Sequence, residues 1–129
     1  LDAPGDEVTV ITNSKNSTDA WWVYYAGLNY YQELIRAGVK IYEYNGTETL
    51  HSKTMLIDGE LALIGSFNLD PRSAIDNSEF MLLIRGGQTA KELHQTMEHD
   101  RANSTLATDD IPFTELVKAS SMRLAEPLL

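Results

Sequence analysis

The chain has 129 residues, a formal net charge of −9 and no cysteine. A chain of this length fits one domain with a substantial core, and the lack of cysteine excludes disulfide bonds and thiolate metal ligands. Proteins that bind nucleic acid usually carry a surplus of basic residues, so 19 acidic against 10 basic residues count against a nucleic-acid partner. No apolar run reaches about eighteen residues, which predicts no membrane-spanning segment.

The first third of the chain predicts a strand, a helix and a second strand. The β-branched residues 7–12 are typical of a short buried strand. Apolar residues at helical spacing predict a helix over 20–37, with Thr18 or Asp19 as its N-cap and the following glycine as its end. Residues 39–44 alternate as a strand. Because strand–helix–strand crossovers are right-handed, the two strands should pair in parallel.

The central third predicts a hairpin and a further strand. Residues 50–57 form the first strand of the hairpin, Asp58-Gly59 its turn, and residues 61–64 the returning strand. This hairpin places residues 61–66 approximately opposite Met55 down to His51. Residues 78–84 are apolar on both faces, which predicts a central strand of a sheet.

The last third predicts two helices separated by a polar segment. The first covers residues 89–101, and the second begins at Pro112, with the intervening polar residues 102–110 left without a predicted element. The last helix is expected to place four apolar residues on one side: Phe113, Leu116, Val117 and Leu124. The alternation of strands and helices predicts a single α/β domain, with a mixed β-sheet flanked by α-helices.

Five polar residues are expected to meet near the hairpin. His51 and Lys53 are two apart on a predicted strand, so their side chains leave the same face. Ser66 and Asn68 follow the returning strand, and Glu79 lies near the start of the next strand. The hairpin therefore brings Ser66 and Asn68 beside His51 and Lys53.

These residue types suit the chemistry of phosphate esters. Free imidazole has a pKa of about 6.5, so His51 can attack or transfer a proton near neutral pH. Lys53 and Asn68 can donate hydrogen bonds to phosphate oxygens, and Glu79 can hold the other ring nitrogen of His51. Asp58 begins a tight turn and needs no catalytic explanation. We expect neither a metal nor a cofactor, since the chain has three histidines and no cluster of carboxylates at ligand spacing.

The order of these residues resembles one catalytic half of a phospholipase D superfamily protein. His51, Lys53 and Asp58 form its H-x-K-x4-D motif, followed by G-S-x-N and a downstream glutamate. The longer string IGSFNLDPRSAIDNSEFMLLI is similar to the C-terminal half of bacterial cardiolipin synthases, and the similarity covers roughly residues 7–100.

The resemblance implies a fold of two facing halves, each with one motif. In that family one histidine forms a phosphohistidine intermediate and the other protonates the departing alcohol. By resemblance, His51, Lys53, Asn68 and Glu79 are catalytic or bind phosphate, Ser66 supports them as a donor, and Asp58 is mainly structural. The N-terminal histidine is usually the nucleophile, so the resemblance makes His51 the general acid, with the nucleophilic role as the alternative.

The implied reaction is phosphatidyl transfer of the phospholipase D type, with a phospholipid substrate and cardiolipin as the expected product. One motif is half of a site, so we expect a second half, either upstream in a longer chain, which the abrupt start favours, or in a second copy. An isolated half is expected to be inactive or to pair artificially. Two alternatives stay open, a homodimeric phosphodiesterase or nuclease and a non-catalytic scaffold domain.

The expected location is peripheral to the bacterial cytoplasmic membrane or in the cytoplasm. Four aromatic residues near the start of the first helix, Trp21, Trp22, Tyr24 and Tyr25, have the amphipathic character of lipid-interface anchors. We expect them instead to form a stripe in the core or at an interface with the second half.

Overall fold

The computed structural model describes residues 7–68 and 78–123, which form a mixed α/β fold, as expected. Strands and helices within those ranges follow in chain order: β1 Thr9–Asn13, α1 Trp21–Arg36, β2 Lys40–Tyr44, β3 Lys53–Ile57, β4 Leu61–Gly65, β5 Met81–Arg85, α2 Gly87–Ala102, β6 Ser104–Leu106 and α3 Phe113–Arg123. Instead of one mixed sheet, the described strands form two three-stranded sheets. The chain divides into a first unit, with described residues 7–50 and 100–123, and a second unit, with described residues 51–68 and 78–99.

The sheet of the first unit has the order β1-β2-β6. The pairing of β1 with β2 is parallel, from Thr9 opposite Lys40 to Asn13 opposite Tyr44, which confirms the predicted crossover. Strand β6 pairs antiparallel with the other edge of β2 and lies in the polar segment where no element was predicted. Backbone pairing to β2 stabilises this strand, so the strand forms although its sequence shows no alternation of apolar and polar residues.

Helix α1 ends as its glycine predicts. Gly38 has a φ of 92°, and its N–H donates to the carbonyl oxygen of Ile35 at 2.9 Å. The N–H of Val39 donates to the carbonyl oxygen of Leu34 at 3.0 Å. This pair of bonds is the Schellman arrangement, and it satisfies carbonyl groups that the helix itself leaves open.

The predicted N-cap of α1 is wrong. The N-cap residue is Ala20, and no side chain caps the helix. Thr18 Oγ1 instead accepts a hydrogen bond from the N–H of Ala20 at 3.1 Å, one step before the helix. Thr18 and Asp19 therefore shape the turn that leads into α1 without satisfying its first free N–H groups.

The core of the first unit lies between α1, α3 and the sheet. Its buried members are Tyr25, Leu28, Tyr31, Val39, Ile41 and Ala119. Helix α3 approaches α1 at Ala119, whose carbonyl oxygen accepts a hydrogen bond from Asn29 Nδ2 at 2.9 Å. Its small side chain allows this close approach.

The buried side of α3 differs from the predicted one. Phe113 is 78% exposed and Val117 is also exposed, whereas Ala119 is fully buried and Met122 packs against the core. Leu116 is half-buried, and Leu124 lies outside the described residues. The prediction placed the large apolar side chains in the core. The close contact between α3 and α1 instead buries the small side chain of Ala119.

The second unit contains the antiparallel sheet β3-β4-β5. Asp58 and Gly59 form the predicted turn, with φ values of 52° and 69°. Ile57 lies opposite Leu61, so the expected register, which placed Leu61 opposite Met55, is wrong by two residues. The turn is tight, since the N–H of Glu60 donates to the carbonyl oxygen of Ile57 at 3.0 Å.

Strand β5 lies at an edge among the described strands, and β4 is the central one, contrary to the prediction. Ala62 of β4 is fully buried, whereas Leu83 of β5 is 60% exposed and Leu82 is also exposed. An apolar sequence on both faces therefore did not determine the position of the strand.

Among the described residues, no helix combines the length and apolar character needed to span a bilayer.

We predict that Gly65→Ala destabilises the protein by roughly 2 kcal/mol or more, because an added Cβ would overlap the carbonyl oxygen of Phe80 and lie 2.6 Å from Met81 Sδ. Gly27→Ala in α1 is the matched control, since nothing lies within 4 Å of its added Cβ. There the higher helix propensity of alanine should stabilise the protein by up to about 1 kcal/mol. Urea unfolding curves measure both changes, and equal changes for the two variants would contradict the packing argument.

Candidate active site

Four of the predicted site residues, His51, Lys53, Ser66 and Glu79, lie at one end of the sheet in the second unit. At that end β3 begins, β4 ends and β5 begins, because the three strands are antiparallel. Lys53, Gly65 and Met81 lie side by side in the last row of the sheet. His51 therefore lies two residues before this row, in the segment that leads into β3, and Glu79 lies two residues before it, in the segment that leads into β5.

The position of Gly65 in this row leaves no space for a side chain. An added Cβ would overlap the carbonyl oxygen of Phe80, so the backbone of β4 approaches that of β5 more closely than a side chain allows. The close approach leads directly into the contacts of Ser66. The glycine and the serine of G-S-x-N therefore have different physical roles in the same turn.

His51 and Lys53 form a direct contact. Strand β3 begins at Lys53, so His51 lies before the strand and not within it as predicted. Lys53 Nζ lies 2.9 Å from His51 Nδ1 and donates to the carbonyl oxygen of His51 at 2.7 Å. An ammonium group only donates, so Nδ1 accepts, and the ring in its neutral form carries its proton on Nε2.

Ser66 joins the end of β4 to the residues before β5. Its N–H donates to the carbonyl oxygen of Phe80 at 2.9 Å, and its Oγ accepts from the N–H of Phe80 at 3.1 Å. The same Oγ donates to Glu79 Oε2 at 2.5 Å. A short hydrogen bond to a carboxylate is among the strong ones, so Ser66 holds the carboxylate of Glu79 in one orientation.

The remaining predicted residues occupy both ends of the sheet. Asn68 is exposed and follows β4 by three residues, at the same end as His51. Asp58 lies in the turn at the opposite end, in agreement with its structural interpretation. Residues 69–77 of the string, which include Asp70, Arg72 and Asn77, lie outside the described residues. Residues 7–68 and 78–123 contain no group of three histidine or carboxylate side chains placed to hold a metal.

Asn13, which was not predicted as a site residue, holds the backbone just before the motif. In the first unit, Asn13 Nδ2 donates to the carbonyl oxygen of Leu50 at 2.8 Å, and Asn13 Oδ1 accepts from the N–H of Leu50 at 2.8 Å. Ser17 Oγ donates to the same Oδ1 at 3.2 Å, which orients the amide. Asn13 thereby holds the backbone at the residue immediately before His51. The family resemblance of residues 7–100 includes Asn13, but no local sequence rule predicts such a contact.

The arrangement offers one proton-transferring ring and several donors at a single edge. Lys53 and the amide of Asn68 are donors suited to phosphate oxygens, and His51 presents Nε2. His51 and Asn68 are exposed, and Lys53 is half-buried, so a substrate can reach them. Groups of these types are suited to binding a phosphodiester.

The motif and the mixed α/β fold define the class, a phospholipase D-like domain. The chain belongs to the family described as "Cardiolipin synthase, PLD-like domain", whose family model matches residues 1–101. The expected superfamily and fold are thus confirmed.

Curated relatives share more than a third of their residues with this chain in the matched region. Cardiolipin synthase A of Yersinia pseudotuberculosis serotype O:3 is 37% identical over 107 residues, which are 83% of this chain and 21% of the relative. An uncharacterized protein of Helicobacter pylori strain 26695 is 36% identical over 107 residues, covering 73% of this chain and 21% of the relative. The chain therefore spans about a fifth of the length of these relatives.

Two solved structures share the fold. Nuc from Salmonella typhimurium, a phospholipase D family member, has a TM-score of 0.64 and 18% identity, covering 80% of this chain and 65% of that one. Phosphatidylserine synthase from Haemophilus influenzae Rd KW20 has a TM-score of 0.66 and 18% identity, covering 96% of this chain and 35% of that one. At this identity the likeness establishes the fold alone.

We predict that Asn13→Ala lowers the free energy of unfolding by roughly 1–3 kcal/mol, because it leaves both backbone groups of Leu50 without their amide partner. The matched control is Asn45→Ala, which removes one exposed hydrogen bond to Thr105 Oγ1 and should cost less than about 0.5 kcal/mol. Urea unfolding compares the two, and a cost for Asn13→Ala no larger than that of the control would contradict the positioning role.

Proposed function

We propose that this chain provides one half of the active site of a phosphatidyltransferase of the cardiolipin synthase type. The observation that carries the proposal is the meeting of His51, Lys53, Ser66 and Glu79 at one end of the β3-β4-β5 sheet. The family match and the named cardiolipin synthase relative support the choice of a phospholipid substrate over other phosphodiesters. The acidic net charge supports the same choice, because it disfavours nucleic acid.

The proposed reaction has two displacements at phosphorus. An imidazole nitrogen attacks a phospholipid phosphorus, forming a phosphorus–nitrogen bond as the bond to the alcohol oxygen breaks, and that oxygen takes a proton from the imidazolium of a second histidine, which becomes a neutral imidazole. A hydroxyl of a second phospholipid then loses its proton to that imidazole and attacks the phosphorus. The first imidazole leaves, and the product is a cardiolipin.

His51 acts as the proton-transferring imidazole in this scheme. The ammonium of Lys53 faces Nδ1, so a proton resides on Nε2, the nitrogen available to the leaving alcohol. The ring donates this proton as an imidazolium, which takes its second proton on Nδ1 once Lys53 Nζ has moved to the phosphate, whereas a nucleophile needs a lone pair on the exposed nitrogen. The resemblance to a C-terminal half supports the same assignment.

Lys53 and Asn68 bind the phosphate oxygens and stabilise the charge that develops on them. A phosphate oxygen is a stronger acceptor than a neutral ring nitrogen, so substrate binding draws Lys53 Nζ from His51 to the phosphate. Glu79, held by Ser66, is then the carboxylate available to the imidazole once the ring becomes positively charged. Hydrogen bonds made only as charge develops accelerate the reaction.

The second imidazole comes from another half with its own motif. The chain contains a single H-x-K-x4-D motif, and its relatives are about five times as long as the matched region. We therefore place the partner half in the same polypeptide, acting at the surface of the cytoplasmic membrane. A homodimer of this chain is the alternative arrangement, with phosphodiester hydrolysis as its reaction.

We predict that His51→Ala in the full-length protein lowers cardiolipin formation by about a thousandfold or more, because it removes the proton-transferring group. His94→Ala is the matched control, since His94 is exposed on α2 and should leave the rate unchanged. Mass spectrometry of the lipid products measures both. An unchanged product yield in His51→Ala, with the fold intact by circular dichroism, would contradict the proposed function.

A substrate with an acidic leaving alcohol separates the two roles of His51. A nitrophenyl phosphodiester leaves without protonation, so His51→Ala should recover most of its rate of alcohol release if His51 is the general acid. No recovery is expected if His51 is the nucleophile, because bond formation to phosphorus is then lost. Acid-sensitive phosphohistidine trapped on His51 itself would overturn the general-acid assignment.

We also predict that the 129-residue chain by itself is monomeric by light scattering and lacks transferase activity, because it carries half of the catalytic groups. Adding the half with the other motif should restore activity. A two-fold dimer of this chain that cleaves phosphodiesters alone would instead establish the homodimeric arrangement.

A further inference from the structure

The start of α1 exposes large apolar side chains to solvent. Trp21 is 49% exposed, Trp22 38% and Val23 55%, and the two indole rings meet edge-on with 5.7 Å between their centres. Tyr25, one turn further along, is buried in the core. Of the residues expected to form a stripe in the core or at an interface with a second half, Tyr25 therefore lies in the core, whereas the two tryptophans are exposed.

Two lysines lie beside the ring of Tyr25, which also contacts Trp21; these four side chains are called the aromatic group here. Lys15 Nζ lies 5.3 Å and Lys118 Nζ 5.7 Å from the centre of the Tyr25 ring, while the Trp21 ring is 6.2 Å from it. Glu115 pairs with both ammonium groups, at 3.7 Å and 2.8 Å. This group of two lysines and one glutamate keeps one net positive charge on a chain whose net charge is −9.

The two lysines remain cationic at neutral pH and accessible to a ligand. A hydrogen bond with Tyr25 and the charge of Glu115 raise the pKa of Lys15, and the hydrogen bond to Glu115 raises the pKa of Lys118. Both side chains are about half exposed, at 47% and 52%. Their ammonium groups can therefore bind a phosphate without leaving the aromatic group.

We propose that Trp21, Trp22 and Val23, together with Lys15 and Lys118 beside the neighbouring Tyr25, form an anchoring surface that inserts into the headgroup layer of an anionic phospholipid bilayer. Indole rings favour this layer because they are apolar and carry one N–H donor, and nearby ammonium groups bind lipid phosphates. A second copy of this chain fits the surface less well, because its lysines would face the same lysines.

The choice of a bilayer as the occupant rests on the proposed function, in which the substrate is a membrane phospholipid. The anchoring surface would hold the protein where its substrate is concentrated. Membrane binding needs no turnover, so it can be measured independently of the catalytic residues.

The sequence provides its own probe, because Trp21 and Trp22 are the two tryptophans of the 129-residue chain. Vesicles of phosphatidylglycerol and phosphatidylethanolamine should shift the tryptophan emission of the chain to shorter wavelength. Brominated phosphatidylglycerol should quench that emission, while iodide in the water should quench it less than without vesicles. These three changes together report insertion of the two indoles.

Matched variants test each part of the surface by vesicle sedimentation. The Trp21→Ala/Trp22→Ala chain should partition roughly tenfold or more weakly, since it loses most of the apolar area that inserts. The Lys15→Ala/Lys118→Ala chain should lose roughly tenfold in low salt and show a weaker salt dependence. Leu83→Ala and Lys91→Ala, on the second unit, are controls that should bind like the original chain.

Several results would overturn the anchoring surface. These are unchanged emission with vesicles, equal loss of binding in Leu83→Ala and the tryptophan variant, or a concentration-dependent blue shift without lipid, which would indicate self-association. His51→Ala should bind vesicles like the original chain. Intact binding with no cardiolipin formation by the full-length protein would therefore contradict the proposed function alone, and cardiolipin formation without vesicle binding would contradict the anchoring surface alone.

Discussion

The close approach of β4 to its neighbour at Gly65 is the constraint on which the candidate site depends. Gly65 stands between Lys53 and Met81 in the last row of the sheet, where a Cβ would overlap the backbone of Phe80. Because the strands are antiparallel, this row gathers the start of β3, the end of β4 and the start of β5. Residues from three separate strand ends thereby reach one edge of the sheet.

The polar contacts at that edge divide into two pairs. Lys53 contacts the ring of His51 on one outer strand, and Ser66 connects the central strand to Glu79 on the other. The first pair is accessible, with His51 exposed and Lys53 half-buried. The second is a short bond to a carboxylate, supported by the backbone of Phe80, and it resists rearrangement. The two pairs therefore reach the same end of the sheet from its two outer strands.

Helix α1 combines a structural role with an exposed apolar surface. Tyr25, Leu28 and Tyr31 fill the core of the first unit, where burial and the nearby charge of Glu43 raise the pKa of Tyr31. The tryptophans at the start of the helix remain outside this core. The side of the helix that packs therefore stabilises the fold, and the exposed end is available for an external contact.

The sequence by itself determined the features that depend on neighbouring residues. The end of α1 at Gly38, the turn at Asp58-Gly59 and the parallel crossover follow from local backbone preferences, and all three are present. The order of the motif residues also identified the family and the candidate site, although the catalytic roles remain predictions.

Only the tertiary structure decided the features that depend on distant partners. The backbone of β2 makes a strand of the polar residues of β6, the contact with α1 selects Ala119 over Phe113 on α3, and the amide of Asn13 holds Leu50. The edge position of β5 and the exposure of the tryptophans likewise depend on what packs beside them. Local sequence encodes backbone preference and polarity, whereas burial and pairing are set by residues tens of positions away.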